Sequence, residues 1–397
     1  MKVLITNLAH FSDRPSGGAR FVRDEAAELH RCGDEVWVLA SGNTNQPEYE
    51  VKEGIHLLRY VPAKVASWNP ARGTGHQKAA RGVLMRHLSE VDAVHGHAPL
   101  PYLAALDLYG DTVHSSYDIH SPAKMEMAIV WRNGGLLRRM TAPLGLEMIN
   151  RLEKECLRRS RTISAESQFT IDCISKIHGP EVASSIQLFP GWADSARYTP
   201  LDREHARRQL GWPTDVPILF TLRRLVPRMG LGRLLSAVSI LRREGVEFRL
   251  MIGGSGPLRA KLEEQQRELG LDAVVRFLGR LEDDQLPLAY AGCDAFVLPT
   301  TELECFGLIA VEALSAGRPV LATPVGAIPE IVGRFEPSWL AKSAEVDEIA
   351  SLLRSFLKGK LPLHDPQWLH QEAHRHYGRD IAVRAYVHAM LEGNGRS

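Results

Sequence analysis

No run of about eighteen apolar residues occurs in this chain, so nothing in it reads as a membrane span. Neither sign of charge is in excess: 48 Lys and Arg stand against 47 Asp and Glu, a formal net charge of +1. That balance gives no global reason to expect nucleic acid as a partner, and any cationic preference must be local. Cysteine is sparse and odd in number. Cys32, Cys156, Cys173, Cys293 and Cys305 are scattered through apolar or helical segments, which suits reduced cytosolic thiols rather than a disulfide framework or a zinc site. No Asp-x-Asp pair stands at a strand end, and Asp283-Asp284 falls in a polar, solvated stretch, so no essential metal is expected. The opening Met1-Lys-Val-Leu-Ile-Thr6 reaches a polar loop too soon for a signal peptide. A cytoplasmic location is the expectation.

What is present is alternation. A chain of 397 residues is long for one core and comfortable for two. Strand and helix patterns alternate from the start, with a strand over 3–6, a helix over 19–31 and a strand over 35–40, which predicts a parallel sheet covered by helices on both faces. A proline- and glycine-bearing linker, Phe189-Pro-Gly-Trp-Ala-Asp-Ser-Ala-Arg-Tyr-Thr-Pro200, interrupts the pattern. It then resumes with strands over 217–221, 247–252 and 274–278 and helices over 231–244 and 257–269. The segment 365–391 reads as a final helical stretch. The expected division is 1–188, 189–364 and 365–397.

The densest candidate for function is Thr301-Glu-Leu-Glu-Cys-Phe-Gly-Leu-Ile-Ala-Val-Glu-Ala-Leu-Ser-Ala-Gly317. The apolar run 295–299 before it reads as a short buried strand. A helix is expected from Phe306 to the Gly317 stop, with Glu304 just before it, Gly307 in its first turn and Glu312 about two turns along, and the eight residues from Glu304 to Glu312 span roughly 12 Å of helix rise. Backbone N–H groups at such a helix start favour an anion. Gly307 lets it approach, and carboxylates at Glu304 and Glu312 suit the diols of sugars because they only accept hydrogen bonds. An ordinary helix with a solvated Glu304 and a capping Glu312 gives the same spacing. Two more loops follow strands in the same way, Leu222-Arg-Arg-Leu-Val-Pro-Arg-Met-Gly230 and Met251-Ile-Gly-Gly-Ser-Gly-Pro257.

Together with Ser16-Gly-Gly-Ala-Arg20, Asp92-Ala-Val-His-Gly-His97, Thr162-Ile-Ser-Ala-Glu-Ser167 and Val325-Gly-Ala-Ile-Pro-Glu330, these stretches resemble the family 4 retaining glycosyltransferases, and the resemblance covers nearly the whole chain. It implies the GT-B fold, α/β, with two Rossmann-like doubly wound parallel-sheet domains facing a cleft. It also implies a last helix crossing back to the first domain. The implied activity is transfer of a sugar, with retention of configuration, from a nucleotide diphosphate-sugar, a UDP-sugar by default, to a sugar, lipid-linked or small-molecule acceptor. The nucleotide-sugar is a co-substrate, and no cofactor is implied. Implied catalytic residues are Arg224 at the diphosphate, Glu304 orienting the sugar and His120 near the anomeric carbon. Implied donor contacts are Gly17, Gly18, Arg223, Arg228, Gly254, Arg280, Phe306, Gly307, Leu308 and Glu312. His97, Tyr117 and Asp118 fall on the acceptor side. Tyr117 stands where the family carries a histidine, with His114 and His120 flanking it. No third ligand stands at suitable spacing for a metal site with His95 and His97, and for His97 a satisfied structural histidine is the other reading.

One position departs from the pattern. Met229 stands where the family has a lysine, and a thioether cannot neutralise a phosphate. Arg223 or Arg228 then becomes the candidate substitute. A nucleotide-sugar epimerase of the same fold and a non-catalytic nucleotide-sugar-binding subunit are the competing readings. From Lys124 to Arg161 nine Lys or Arg meet four Glu among large apolar residues, a composition that suits peripheral contact with an anionic membrane as well as a solvated helix surface.

Overall fold

The computed structural model describes residues 1–9, 17–62, 72–110, 113–132 and 135–392. Residues 12–16 of the first glycine turn lie outside them, as does Thr112. The chain divides into two units, Met1–Pro190 with Ala382–Ser397, and Gly191–Ile381.

The first unit is built on an eight-stranded sheet in the order β3-β4-β2-β1-β5-β6-β7-β8. Its strands are β1 (Lys2–Ala9), β2 (Glu35–Ser41), β3 (Tyr49–Lys52), β4 (Ile55–Tyr60), β5 (Ala93–Gly96), β6 (His114–Ile119), β7 (Thr162–Ala165) and β8 (Ile186–Leu188). All neighbours pair parallel except β3 with β4. Val3, Leu4 and Ile5 are consecutive and all fully buried, the mark of a strand covered on both faces. The order reverses between β1 and β5. Chain following β1 goes to one side of the sheet and chain following β5 to the other, and such a switch point opens a crevice at the carboxyl ends of the strands.

The second unit carries a five-stranded parallel sheet, β11-β10-β9-β12-β13. Its strands are β9 (Ile218–Leu222), β10 (Arg249–Gly253), β11 (Val275–Gly279), β12 (Ala295–Leu298) and β13 (Val320–Ala322). Its switch point lies between β9 and β12. The loops with the dense motifs, 222–230 and 299–307, leave the two strands that flank it.

The segment expected as one helix is two, Pro366–Tyr377 and Arg379–Glu392. Gly378 between them is extended, and a Cβ there would strike the His374 carbonyl. The break frees backbone for Ala193, whose N–H donates to Tyr377 O at 2.9 Å and whose carbonyl accepts from Arg379 N at 3.0 Å. The helix Pro366–Tyr377 is therefore part of the second unit, burying Leu369, Ala373 and Tyr377 in its core. The first unit regains the chain only at Ala382. There Val383, Tyr386, Val387 and Met390 are buried, Tyr386 meets Phe21 edge-on, and the Met390 carbonyl accepts from His114 Nε2 at 2.6 Å. Tyr386→Ala should therefore destabilise the first unit by about 3–5 kcal/mol, the range for removing a buried aromatic ring, and urea unfolding followed by fluorescence checks it.

Candidate functional site

At the carboxyl edge of the second unit's sheet, consecutive arginines diverge. The Arg223 backbone N–H is held by Gly253 O at 3.0 Å. Its buried side chain donates through Nη2 to Thr300 Oγ1 at 2.7 Å and to Glu304 Oε2 at 2.5 Å, and its Nε has no hydrogen-bond partner. Arg224, one residue on, is exposed. Arg228 donates to the Leu303 carbonyl at 2.6 Å and its own carbonyl accepts from Thr301 N at 2.9 Å, so the loop after β12 is tied to the loop after β9. Leu303 sits at φ 46, a left-handed conformation that costs energy for a branched side chain. The Arg228 bond acts on its carbonyl.

Neither arginine proposed to replace the missing lysine is unengaged, since Arg223 pairs with Glu304 and Arg228 caps Leu303. Met229 is buried at 6% exposure, which suits a thioether. Glu304 has one oxygen already shared by Arg223 and Thr300.

Glycine explains why backbone can crowd here. Gly254 has φ 116, and a Cβ on it would overlap the Arg223 carbonyl. A Cβ on Gly326 would overlap the Glu304 carbonyl, next to which Ala327 N donates to Glu304 O at 2.7 Å. The helix expected from Phe306 begins at Leu308 instead, with Gly307 preceding it at φ 96. Phe306 turns its ring inward onto Gly191 and Tyr377, so it offers only backbone. Leu308 and Ile309 open the first turn, where N–H groups have no intrahelical acceptor. Glu312 is buried, with the Tyr290 hydroxyl donating to its Oε2 at 2.7 Å. Arg280 is exposed just beyond β11, and Asp283 and Asp284 are exposed further on.

The first unit gathers a second constellation at its own switch point. Two-residue spacing puts His95, on β5, and His97, just after it, on one face. Glu25, on the helix Gly17–Arg31, takes hydrogen bonds from both: His95 Nδ1 lies against its Oε1 and His97 Nε2 lies 2.7 Å from its Oε2. His97 Nδ1 is 2.8 Å from His120 Nε2, and His120 Nδ1 is 2.5 Å from Glu166 Oε1. The Tyr386 hydroxyl lies 3.0 Å from His95 Nε2. Asp118 accepts from Ser164 through Oδ1, while its Oδ2 is buried, without a hydrogen-bond partner and 3.5 Å from His120 Nδ1. Phe21 walls the cluster, edge-on to His97 and His120, and Gly18 lies against the His120 ring at the start of the same helix as Gly17.

This arrangement corrects the acceptor-side expectations. His97 is fully buried with both ring nitrogens engaged. Tyr117 points to the other face of β6, into the core, where it stacks on Tyr102, and Asp118 is buried. Of these rings only His120 is partly open, at 21% side-chain exposure. His114 is turned away, toward Met390. Glu25, Glu166 and Tyr386 were given no role from sequence. Glu25 had a signal, since it stands in the apolar stripe Phe21, Val22, Ala26 and Leu29, where a carboxylate needs partners.

Further groups do lie near these histidines: the ligand-type atoms of Glu25, His95 and His97 fall within 4.8 Å of one another, and so do those of His97, Asp118 and His120. Nitrogens bound to one tetrahedral zinc at about 2.0 Å would stand about 3.3 Å apart. The 2.7 and 2.8 Å separations here are those of shared protons.

Burial alone would raise the Glu25 carboxyl, but the charges and hydrogen bonds of His95 and His97 outweigh it and bring it down to about 2. Burial dominates at His97 and lowers it, despite Glu25. Burial would also lower His120, but Asp118, Glu166 and the Glu166 hydrogen bond raise it to about 9. Burial raises Asp118. His120 holds its proton more tightly folded than unfolded, so its contribution to stability is fully present below about 6.5 and is lost as pH rises through about 9. Thermal melts from about neutral pH to about pH 10 should therefore show the wild type losing its advantage over His120→Gln across that window. In the second unit, Gly254→Ala should cost about 1–3 kcal/mol through forced positive φ and the Arg223 overlap, read as a lowered Tm.

Comparison with known proteins agrees with both halves. The family model "Glycosyltransferase Family 4" matches residues 15–197 and "Glycosyl transferases group 1" matches 202–374. The 2-deoxystreptamine glucosyltransferase of Streptomyces kanamyceticus is 28% identical over 61% of this chain and 64% of its own length, so the match spans somewhat less than two thirds of that relative. The D-inositol 3-phosphate glycosyltransferase of Saccharomonospora viridis is 27% identical over 96% of this chain and 85% of its own. Among solved structures, sucrose-phosphate synthase from Thermosynechococcus elongatus superposes with a TM-score of 0.78 at 18% identity, covering 97% of each chain. HepE from Anabaena, in complex with UDP and glucose, superposes with 0.72 at 17% identity, covering 99% of this chain and 100% of its own. Two doubly wound units with two family models matched in succession mean that the chain belongs to the family 4 glycosyltransferases and has the GT-B fold.

Proposed function

We propose that this glycosyltransferase moves a sugar, with retention of configuration, from a UDP-sugar to a hydroxyl of an acceptor molecule, without a metal ion. The observation that carries the donor assignment is Arg224, exposed in the loop after β9 at the switch point of the second unit, where the loop after the other flanking strand leads to a helix start with open N–H groups. A sugar leaving a diphosphate puts negative charge on the departing phosphate, and a planar guanidinium suits two of its oxygens. The open N–H groups of Leu308 and Ile309 supply further donors with the helix dipole behind them. Glu304, oriented by Arg223 and Thr300, accepts sugar hydroxyls. Front-face attack, in which the leaving phosphate assists deprotonation of the acceptor, needs no carboxylate nucleophile, and catalysis then comes from positioning in a dry site.

UDP is favoured by the structural likeness to a protein solved with UDP and glucose. The relatives' names carry 2-deoxystreptamine and D-inositol 3-phosphate, which favours a small-molecule acceptor over a polymer. No helix among the described residues is long and apolar enough to cross a membrane. Val130, Met140 and Leu144 are exposed on the helices Ala123–Arg132 and Leu136–Arg159 among basic residues, and this supports peripheral contact with an anionic membrane from the cytoplasmic side.

Titrating UDP, GDP and ADP against the folded chain tests the donor assignment. UDP at about 100 times its Kd should stabilise the protein by about 2.7 kcal/mol. Arg224→Ala should weaken UDP roughly 10- to 100-fold, since a charged hydrogen bond is worth about 1.5–3 kcal/mol, without lowering the Tm of the free protein. No response to any of the three nucleotides would overturn the donor assignment, and binding without turnover would put the non-catalytic reading first.

A further inference from the structure

The hydrogen bonds behind His120 form one continuous chain, Tyr386–His95–Glu25–His97–His120–Glu166, and its protons can be placed one after another. Glu25 is buried between two imidazoles and has no proton of its own to give, so both His95 Nδ1 and His97 Nε2 donate to it. A neutral His97 that donates from Nε2 has a bare lone pair on Nδ1. The nitrogen 2.8 Å away, His120 Nε2, must then carry a proton. The other His120 nitrogen faces the Glu166 carboxylate at 2.5 Å and carries one as well. Asp118 Oδ2, buried and without a hydrogen-bond partner, adds negative charge 3.5 Å from the same ring edge.

We propose that Glu25 and His97 are positioning residues for glycosyl transfer that hold His120 as a doubly protonated ring at the partly open end of this chain. Each link removes one choice from the next. The shared carboxylate fixes the His97 tautomer, that tautomer fixes the His120 proton, and Glu166 fixes its orientation. With both nitrogens engaged inside the unit, His120 is a fixed cation and not a general base. The groups facing it are Glu25 from the first helix, His95 and His97 from β5 and its extension, Asp118 from β6, Glu166 from the end of β7 and Tyr386 from the last helix. No water-filled path is needed, because the charge is set by hydrogen-bond direction. The role in transfer rests on the glycosyltransferase assignment, whereas the proton placement is measurable without any substrate.

The experiment is long-range proton–nitrogen NMR on the full chain labelled with ¹⁵N-histidine, with His120 signals identified by their loss in His120→Gln. At about pH 7.5 the His120 ring should show two protonated nitrogens and His97 only Nε2, with His120 titrating near 9. Glu25→Gln should lower the His120 midpoint by about one pH unit, a tenfold loss of proton affinity. His97→Gln keeps a donor toward Glu25 and an acceptor toward His120, and should leave the midpoint near its wild-type value. A bare nitrogen on His120 in the wild type overturns the proposal, as does an unchanged midpoint in Glu25→Gln or an equal drop in both variants. Should Glu25→Gln fail to fold, the wild-type tautomers of His97 and His120 still decide.

Discussion

An ionised side chain taken out of water costs several kcal/mol unless its hydrogen-bonding capacity is met, and each unit buries several. Glu25 in the first and Arg223 in the second tie the most elements together at the carboxyl edge of the sheet. Meeting that requirement fixes local geometry. Glu25 draws β5 and the first helix together through two histidines, while Arg223 holds the loop after β12 through Thr300 and Glu304. Loops at these edges could otherwise take many conformations. The buried charges select one.

The alternation of strands and helices and the glycine-bearing loops were legible in the sequence, because periodicity and turn chemistry are local. What was illegible depends on partners far away along the chain. Glu25 meets His95 across 70 residues, His120 meets Glu166 across 46, and His95 meets Tyr386 across 291. Glu166 stands in a stretch that carries the family resemblance, but nothing there marks it as a partner of His120, and nothing near Tyr386 distinguishes it from an ordinary core residue. The Tyr117 reading failed for a different reason. Strand side chains alternate faces, so a shift of one residue moves a side chain from the site to the core. Tyr117 and Asp118 are such neighbours, and only the pairing of β6 with β5 and β7 settles which faces the histidines. At Gly307 and Gly378 the glycines were visible, but the backbone geometry that each one serves was not.

The family departure at Met229 also changes meaning once its surroundings are known. The position is buried, and Arg228 beside it gives one of its N–H groups to the Leu303 carbonyl. Arg224 remains as the exposed cation of that loop, and the donor assignment leans more heavily on one side chain than the motif pattern suggests.

Tyr386 has a consequence for how the molecule is made. The residues that seal Phe21, His95 and His114 come after the entire second unit in the chain. Synthesis runs from the amino end and domains generally fold as units while it proceeds. The second unit has the uninterrupted chain it requires before the last helix is made. The first unit, though translated first, lacks the residues that seal its histidine cluster until the last helix is made.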